Sequence, residues 1–438
     1  MTAKKVHMLF TDLKGITRDV AYFNRSDKAP IGKTDGSSSY GFGHIEDSDL
    51  ELIPDPEVQS INIGASEEYQ INLSYVYKNG SALEQDPRRI AKSLESSLQE
   101  AGYRSLVAGE LEFFVFDNIT ASVKTVDGKF QHRVEIDSIE FKDDGRYQNK
   151  NSYMLPLNGM IDKLTAIVSE LWPNIDVEVL HHEVASSQYE LNVRPKSVKE
   201  AADCIILSKY LLRKELAGIG RVPIFIPKPI PYDNGSGLHT NISLWRDDRN
   251  MFYDENDSYA KLSQTGRYFI GGILEHGRSL SAIVSPTVNS YRRLIPGFEA
   301  PVNLVWGRSN RSAALRVPFS KGQEKERIEY RPPDPSSNPY LAFTAVIAAG
   351  LDGIIKKISP GDPKDMDVYK LSPDERKGIK TIPGSLTEAL DELETDNEFL
   401  SPYFGRSTIS NYIDIKRKEV ERAAPVASAV EVLDAMNI

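Results

Sequence analysis

Gly109-Glu110-Leu111-Glu112-Phe113-Phe114-Val115-Phe116 alternates acidic and apolar side chains before becoming wholly apolar. A period of two predicts a β-strand with Glu110 and Glu112 on one face and Leu111 and Phe113 on the other. The two carboxylates then stand ~7 Å apart on a rigid element, where each could serve a separate divalent cation. Alone, such a pair is more often a solvated sheet face.

Further along, His181-His182-Glu183-Val184-Ala185 is followed by Glu190 in Tyr189-Glu190-Leu191-Asn192-Val193-Arg194, which alternates again. Carboxylates with an occasional imidazole, placed after an apolar strand, suit Mg²⁺ or Mn²⁺. For His181 the plain alternative, a hydrogen-bonded interior side chain, is equally open. Asn234-Gly235-Ser236-Gly237-Leu238-His239 reads either as a glycine-rich turn or as backbone amides open to an anion beside a ligating His239. In Arg327-Ile328-Glu329-Tyr330-Arg331 a strand period puts two guanidiniums and a carboxylate on one face. Arg293, Arg311 and Arg316 precede it, and arginine forks match phosphate and carboxylate oxygens. Carboxylates for cations and arginines for phosphate oxygens together describe a multi-metal phosphoryl-transfer site. The chain has neither a G-x-x-x-x-G-K-[ST] nor a helix-opening G-x-G-x-x-G sequence, so a nucleotide would not rest on a P-loop or a Rossmann turn.

The 438 residues allow two to four domains, and 40% hydrophobic with 26% charged residues is ordinary globular composition. With 53 Lys plus Arg against 63 Asp plus Glu the net charge is −10, and no basic run exceeds two or three residues. This argues against a nucleic-acid binder. Cys204, the single cysteine, precludes an internal disulfide or a thiolate cluster. The N-terminus has no signal pattern, and the apolar run around Leu341–Leu351 is shorter than the ~18 residues a membrane span needs. A cytoplasmic protein without membrane contact is expected.

Val6–Thr11 and Thr17–Tyr22 predict a hairpin, with further strands at Val58–Ile63 and Gln70–Tyr77, so the first ~80 residues read as a small β unit. Asp86-Pro87 opens a helix that Gly102 stops. Helices are expected at Met160–Leu171, after the Ser197-x-x-Glu200 capping box, within Tyr259–His276, after Asn338-Pro339, after Ser385-x-x-Glu388 and over Ile409–Arg422. Strands are expected at Val177–Leu180, Tyr189–Val193, Ile224–Ile226, Leu315–Val317 and Arg327–Arg331. The class is α+β.

Taken in order, these segments resemble the glutamine synthetase family over almost the whole chain. The likeness also takes in Phe10-Thr11-Asp12, Asp35-Gly36-Ser37-Ser38 with Asp49, Pro296-Gly297-Phe298-Glu299-Ala300-Pro301-Val302-Asn303, Asn310-Arg311-Ser312-Ala313, Arg331-x-Pro333-Asp334 and Asn338-Pro339-Tyr340. The resemblance implies a small N-terminal β-grasp domain (residues 1–82) and a large catalytic domain (83–438) whose antiparallel sheet forms an active-site barrel. It implies active sites between subunits of a hexameric ring, usually stacked into a dodecamer. It further implies ATP-dependent ligation of ammonia to L-glutamate, giving L-glutamine, ADP and phosphate through γ-glutamyl phosphate. Alternatives on the same scaffold are ligation of an amine or polyamine, or a non-catalytic nitrogen sensor. By the resemblance, Glu112, Glu183 and Glu190 would hold one Mg²⁺ or Mn²⁺, and Glu110, His239 and Glu329 a second. Arg311 and Arg331 would face the moving phosphate, Arg316, Arg327 and Ser243 the nucleotide. Asn234, Gly235, Arg293, Glu299 and Arg331 would face glutamate. Asp35 would bind ammonium and Glu299 would close as a flap. Two departures are visible: Ser187 stands where the family usually has glycine, and Asn241 where bacterial members often have histidine near the adenine. Tyr369 lies in Tyr-Lys-Leu-Ser-Pro, similar to a loop whose tyrosine is adenylylated in some bacteria.

Overall fold

The computed structural model describes the chain apart from residues 1–3, 25–30, 47, 59, 63–68, 127–128, 139–151, 156–158, 172–174, 297–298, 371, 373–376 and 425–438. Seven strands build a first sheet: β1 (Lys4–Thr11), β2 (Thr17–Asn24), β3 (Gly32–Asp35), β4 (Asp49–Pro54), β5 (Ile61–Asn62), β6 (Tyr69–Lys78) and β7 (Ser81–Ala82). Its main order is β2-β1-β6-β4-β3, with β1 and β6 parallel. The expected hairpin is present as β1 and β2. The polar stretch after Ile31 also supplies β3 and β4, which the sequence reading passed over because Gly32-Lys33-Thr34-Asp35 is poor in strand formers.

Helix α1 (Pro87–Glu100) starts as expected, with the Asp86 side chain accepting from the Arg88 N–H, and buries Ile90, Ala91, Leu94 and Leu98. The second sheet holds β8 (Arg104–Val126), β9 (Lys129–Ser138), β10 (Val177–His182), β11 (Gln188–Val193), β12 (Val222–Ile224), β13 (Leu238–Arg246), β14 (Arg249–Asn250), β15 (Asn303–Arg308), β16 (Ala313–Val317) and β17 (Ile328–Tyr330). The order β10-β11-β8-β13-β17-β16-β15 is antiparallel until its last pair. That last pair, β15 and β16, runs parallel at the sheet's edge. β13 was also unforeseen: the Asn-Gly turn signal before it hid a strand that is buried from Leu238 to Trp245.

Around this sheet pack α2 (Met160–Leu171), α3 (Val198–Gly218), α4 (Gln264–Glu275), α5 (Gly277–Val284), α6 (Ser290–Arg293), α7 (Pro339–Lys356), α8 (Leu386–Thr395) and α9 (Arg406–Ala423). Helix α7 is long and apolar enough to cross a membrane, but most of it is enclosed in the fold, with Phe343, Ala345, Val346 and Ile347 fully buried. Leu111, Phe113 and Leu191 from the sheet share one core with α1, α3, α4 and α7. The buried Arg88 ties the two sheets' surroundings together, bonding Asp55 (2.7 Å) after β4 and Asp203 (2.8 Å) on α3. Tyr340 on α7 donates to the same Asp203 at 2.5 Å.

His276, between α4 and α5, lies between two carboxylates: Nδ1 is 2.9 Å from Asp396 and Nε2 2.9 Å from Asp352. Its ring stacks on Phe399 at 4.1 Å. Burial disfavours the imidazolium, yet the two aspartates prevail and raise its pKa above the ordinary value of about 6.5. A raised folded pKa contributes stability that is complete below the unfolded value and fades as pH climbs through the folded one. The melting-temperature gap between wild type and His276→Gln is therefore expected to be widest near pH 6 and to shrink in alkaline buffer. A gap independent of pH would contradict this reading.

Candidate active site

The register of the second sheet assembles the site. Opposite residues in an antiparallel pair have Cβ atoms ≈ 4.5–5.5 Å apart on one face. His181 lies opposite Glu190, and Glu190 opposite Glu112. Glu110 lies opposite Asn192 on one side and His239 on the other. Asn241 lies opposite Glu329, and Glu329 opposite Arg316. On the reverse face Leu111 meets Leu191 and Leu238, all fully buried. The apolar partners thus fix the register that gathers the charged ones.

Glu110, Glu112, His181, Glu190, Asn192, His239, Arg316 and Glu329 line a cavity of about 290 Å³ that also takes in Glu183, Asn234, Gly235, Arg293, Glu299, Arg311 and Arg331. Its wall carries six carboxylates (Glu110, Glu112, Glu183, Glu190, Glu299, Glu329) and four guanidiniums (Arg293, Arg311, Arg316, Arg331). Two donor clusters stand out among the described residues: Glu110, His239 and Glu329, and His181, Glu183 and Glu190, each with ligand atoms within 4.8 Å of one another. The first is the trio the resemblance implied. In the second, His181 takes the place given to Glu112. Glu112 lies between the clusters, with Oε1 3.6 Å from His239 Nε2 and Oε2 accepting from the Gly237 N–H at 2.8 Å.

Electrostatics here favour cations. Burial, then the charges of Glu183 and Glu190, push the Glu112 carboxyl well above the carboxylate range. Burial likewise raises Glu190 to about 7, partly opposed by its hydrogen bond with His181. Burial and then Arg331 hold His239 well below the usual imidazole value, so its lone pair is available to a metal. Crowded buried carboxylates beside a neutral imidazole fit hard divalent cations. The arginines beside the first cluster fit anions: Arg316 and Arg331 both bond Glu329, yet the buried Nε of each has no hydrogen-bond partner.

Arg293 is buried and donates to the carbonyls of Pro332 (2.8 Å) and Arg331 (3.2 Å), bracing the loop that carries Arg331. A Cβ on Gly235 would lie 2.4 Å from the Pro227 carbonyl oxygen, so only glycine lets this loop close onto its neighbour. Glu299 reaches the cavity from a left-handed backbone (φ 57°); Gly297 and Phe298 of the same segment are outside the described residues.

Three sequence-predicted site residues lie off this cavity wall in the single chain. Asp35 is absent from the cavity wall; it lies at the end of β3, where its carboxylate accepts from the Ser37 N–H (2.8 Å) and the Ser37 and Ser38 hydroxyls (2.7 and 2.8 Å). Those hydroxyls hold its pKa down to about 2. Arg327 also lies outside the wall, donating to Asn241 Oδ1 at 2.9 Å, while Asn241 Nδ2 donates to Glu110 at 2.8 Å. Ser243 is two residues beyond Asn241 on the same face of β13 and accepts from Trp245 Nε1 at 2.9 Å. The side chain of Tyr369 is outside the described residues.

The sequence reading missed Tyr153 and Gln188, both on the wall. Tyr153 packs on His181 with ring centroids 4.6 Å apart, and being in a turn it had no periodic signal. Gln188 did have one, in phase with Glu190 and Asn192 on β11.

Residues 84–434 match the family model described as glutamine synthetase, catalytic domain. The chain is 44% identical to a Sulfolobus acidocaldarius glutamine synthetase, covering 95% of this chain and 92% of that one. With a Streptomyces filamentosus glutamine synthetase the identity is 40%, covering 94% and 92%. Among solved structures it resembles one described as a GmaS/ADP complex, with TM-score 0.84 and 27% identity over 100% of this chain and 97% of that one. It also resembles Plasmodium falciparum glutamine synthetase, with TM-score 0.83 and 25% identity over 98% and 95%. The chain belongs to the glutamine synthetase family.

Ser187, in the turn joining Glu183 to Glu190, has φ 60°, a left-handed conformation that glycine adopts without strain. Ser187→Gly should fold and melt near wild type. Ser187→Val forces a β-branched residue into the left-handed region at ~1–3 kcal/mol and should lower the melting temperature by several degrees. Equal melting of the two variants would contradict the backbone argument.

Proposed function

We propose that this chain catalyses ATP-dependent ligation of ammonia to L-glutamate, giving L-glutamine, ADP and phosphate. The carrying observation is the double wall: two carboxylate-rich donor clusters facing arginines whose buried Nε atoms have no hydrogen-bond partner. Kinship to glutamine synthetases at 36–44% identity over most of the chain points the same way.

Glu110, His239 and Glu329 would hold one Mg²⁺ or Mn²⁺, and Glu183 and Glu190, with Glu112 or His181, another. Bound there, the cations supply charge neutralisation and Lewis acidity toward phosphate oxygens. The remaining work belongs to side chains. Arg311 and Arg331 would stabilise the γ-phosphoryl group while the γ-carboxylate of glutamate attacks phosphorus and ADP leaves. Arg316 would bind the nucleotide phosphates directly, with Arg327 acting through Asn241 and Ser243 on the same strand. Asn234, Gly235 and Arg293 would orient glutamate. Ammonia then attacks the γ-glutamyl phosphate carbon, phosphate departs, and the surplus proton of the adduct would pass to the Glu299 carboxylate. Glu299, on its exposed segment, would close the cavity against water.

Asp35 would act from a neighbouring subunit. It stays ionised at neutral pH and is exposed, as a carboxylate meant to draw ammonium into another chain's cavity would be. The exposed apolar side chains Phe23, Ile31 and Ile45 in the same N-terminal part of the chain support burial against a neighbour in a hexameric ring or its stacked dodecamer. All seven strands of the first sheet end by Ala82, which supports reading residues 1–82 as a separate β-grasp domain and 83–438 as the catalytic one. A cytoplasmic location suits its need for ATP and the free, buried Cys204.

Phosphate release by the purified protein with ATP, Mg²⁺ and glutamate should require ammonium, with far less turnover on methylamine, ethanolamine or putrescine. Turnover with a larger amine alone would replace ammonia as the substrate, and none with any would leave a non-catalytic sensor. Asp35→Ala removes a charge-assisted hydrogen bond of ~1.5–3 kcal/mol. It should raise KM for ammonium about 10- to 100-fold and leave KM for ATP near wild type. Loss of ATP affinity instead would remove Asp35 from the ammonium site.

A further inference from the structure

Gln188, the first residue of β11, is buried at 1% exposure, on the wall between the carboxylates and the Asn234-Gly235 loop. Its amide orientation is fixed from outside the cavity: Oε1 accepts from the Ala185 N–H at 3.0 Å, so Nε2 must face inward. There Nε2 stands 3.2 Å from Glu112 Oε2, 3.2 Å from the Gly235 carbonyl and 3.1 Å from Ser236 Oγ. One NH₂ group thus has two protons for three acceptors.

We propose that Gln188 is a positioning residue that couples the glutamate loop to the cation ligand Glu112, an inference that rests on the function proposed above. Together with the Gly237 N–H, the amide saturates Glu112 Oε2. Oε1, on the His239 side, is then the oxygen turned to a cation. The competition at Nε2 gives the coupling its direction. When the ammonium group of an amino acid donates to the Gly235 carbonyl, the two amide protons are released to Glu112 and Ser236, and every acceptor is satisfied. Without the amino acid, Gly235 competes for a proton and Glu112 is held less firmly. Glutamate and a divalent cation should therefore bind with positive, reciprocal coupling, and Gln188 should carry it.

Two variants that preserve the side chain's length test this. Gln188→Met removes both donors, and Gln188→Glu replaces them with a negative charge against Glu112 and the Gly235 carbonyl. Mn²⁺ binding to the nucleotide-free protein is followed by electron paramagnetic resonance, with and without glutamate, beside steady-state kinetics and thermal melting. In wild type, glutamate should tighten Mn²⁺ binding at least threefold. In Gln188→Met the enhancement should vanish and KM for glutamate rise about tenfold or more. Gln188→Glu should raise it further, while KM for ATP stays within twofold in both. Uncoupled Mn²⁺ and glutamate binding in wild type would overturn the proposal. So would variants that keep the coupling, or that lose ATP, glutamate and thermal stability in proportion. If wild type turns over a different amine, the function proposed above changes, yet the Mn²⁺–glutamate coupling is still read directly.

Discussion

Strand register in the second sheet is the constraint on which everything else depends. Side-chain period along a strand is two, so a slip of one residue in β8 would carry Glu110 and Glu112 to the core and Leu111 and Phe113 to the cavity. Burying two unpaired carboxylates would be prohibitive. The fully buried Leu111, Phe113 and Leu191, packed with α1, α3 and α7, therefore place the reactive groups that they never touch. Pairing of β8 with both β11 and β13 then brings residues far apart in sequence onto one face in adjoining rows: His181, Glu190 and Glu112, then Glu110 and His239, then Glu329 and Arg316.

That face is electrostatically unsettled by its own fold. Glu112 and Glu190 are buried and pushed up in pKa, first by desolvation and then by neighbouring acids. Arg293 offsets this only in part at Glu112, while Arg316 and Arg331 are drawn to Glu329. Such an arrangement costs stability in the bare protein and is offset when cations enter, so that affinity for metal and for phosphate follows from how the charges are kept apart. The helices contribute rigidity to this frame: Arg88 joins the first sheet's loop to α3, and Tyr340 of α7 donates to the same Asp203.

Much of this was legible from sequence. Alternation around Glu110 and Glu329 carried both the strand and the face of each charged group, because period two is set by backbone geometry alone. Helix starts at Asp86, Ser197 and Ser385 were equally legible, since a cap is a local hydrogen bond. What escaped depended on distant parts of the chain. β13 was masked by the turn signal of Asn234-Gly235, and its strand character comes from pairing with β8 and β17. Parallel pairing of β15 with β16 leaves no local trace. Tyr153 reaches His181 from a turn, and Asp35 lies exposed at the end of β3, away from this cavity, which no local pattern displays.

The most direct measurement is the number of Mn²⁺ ions held per chain at saturation, counted by equilibrium dialysis on the purified wild-type protein without nucleotide. Two ions per chain are expected, falling to one in Glu329→Gln with the fold retained by circular dichroism. Fewer than two in wild type, or two still bound after Glu329→Gln, would contradict the claim that the sheet register builds a pair of cation sites.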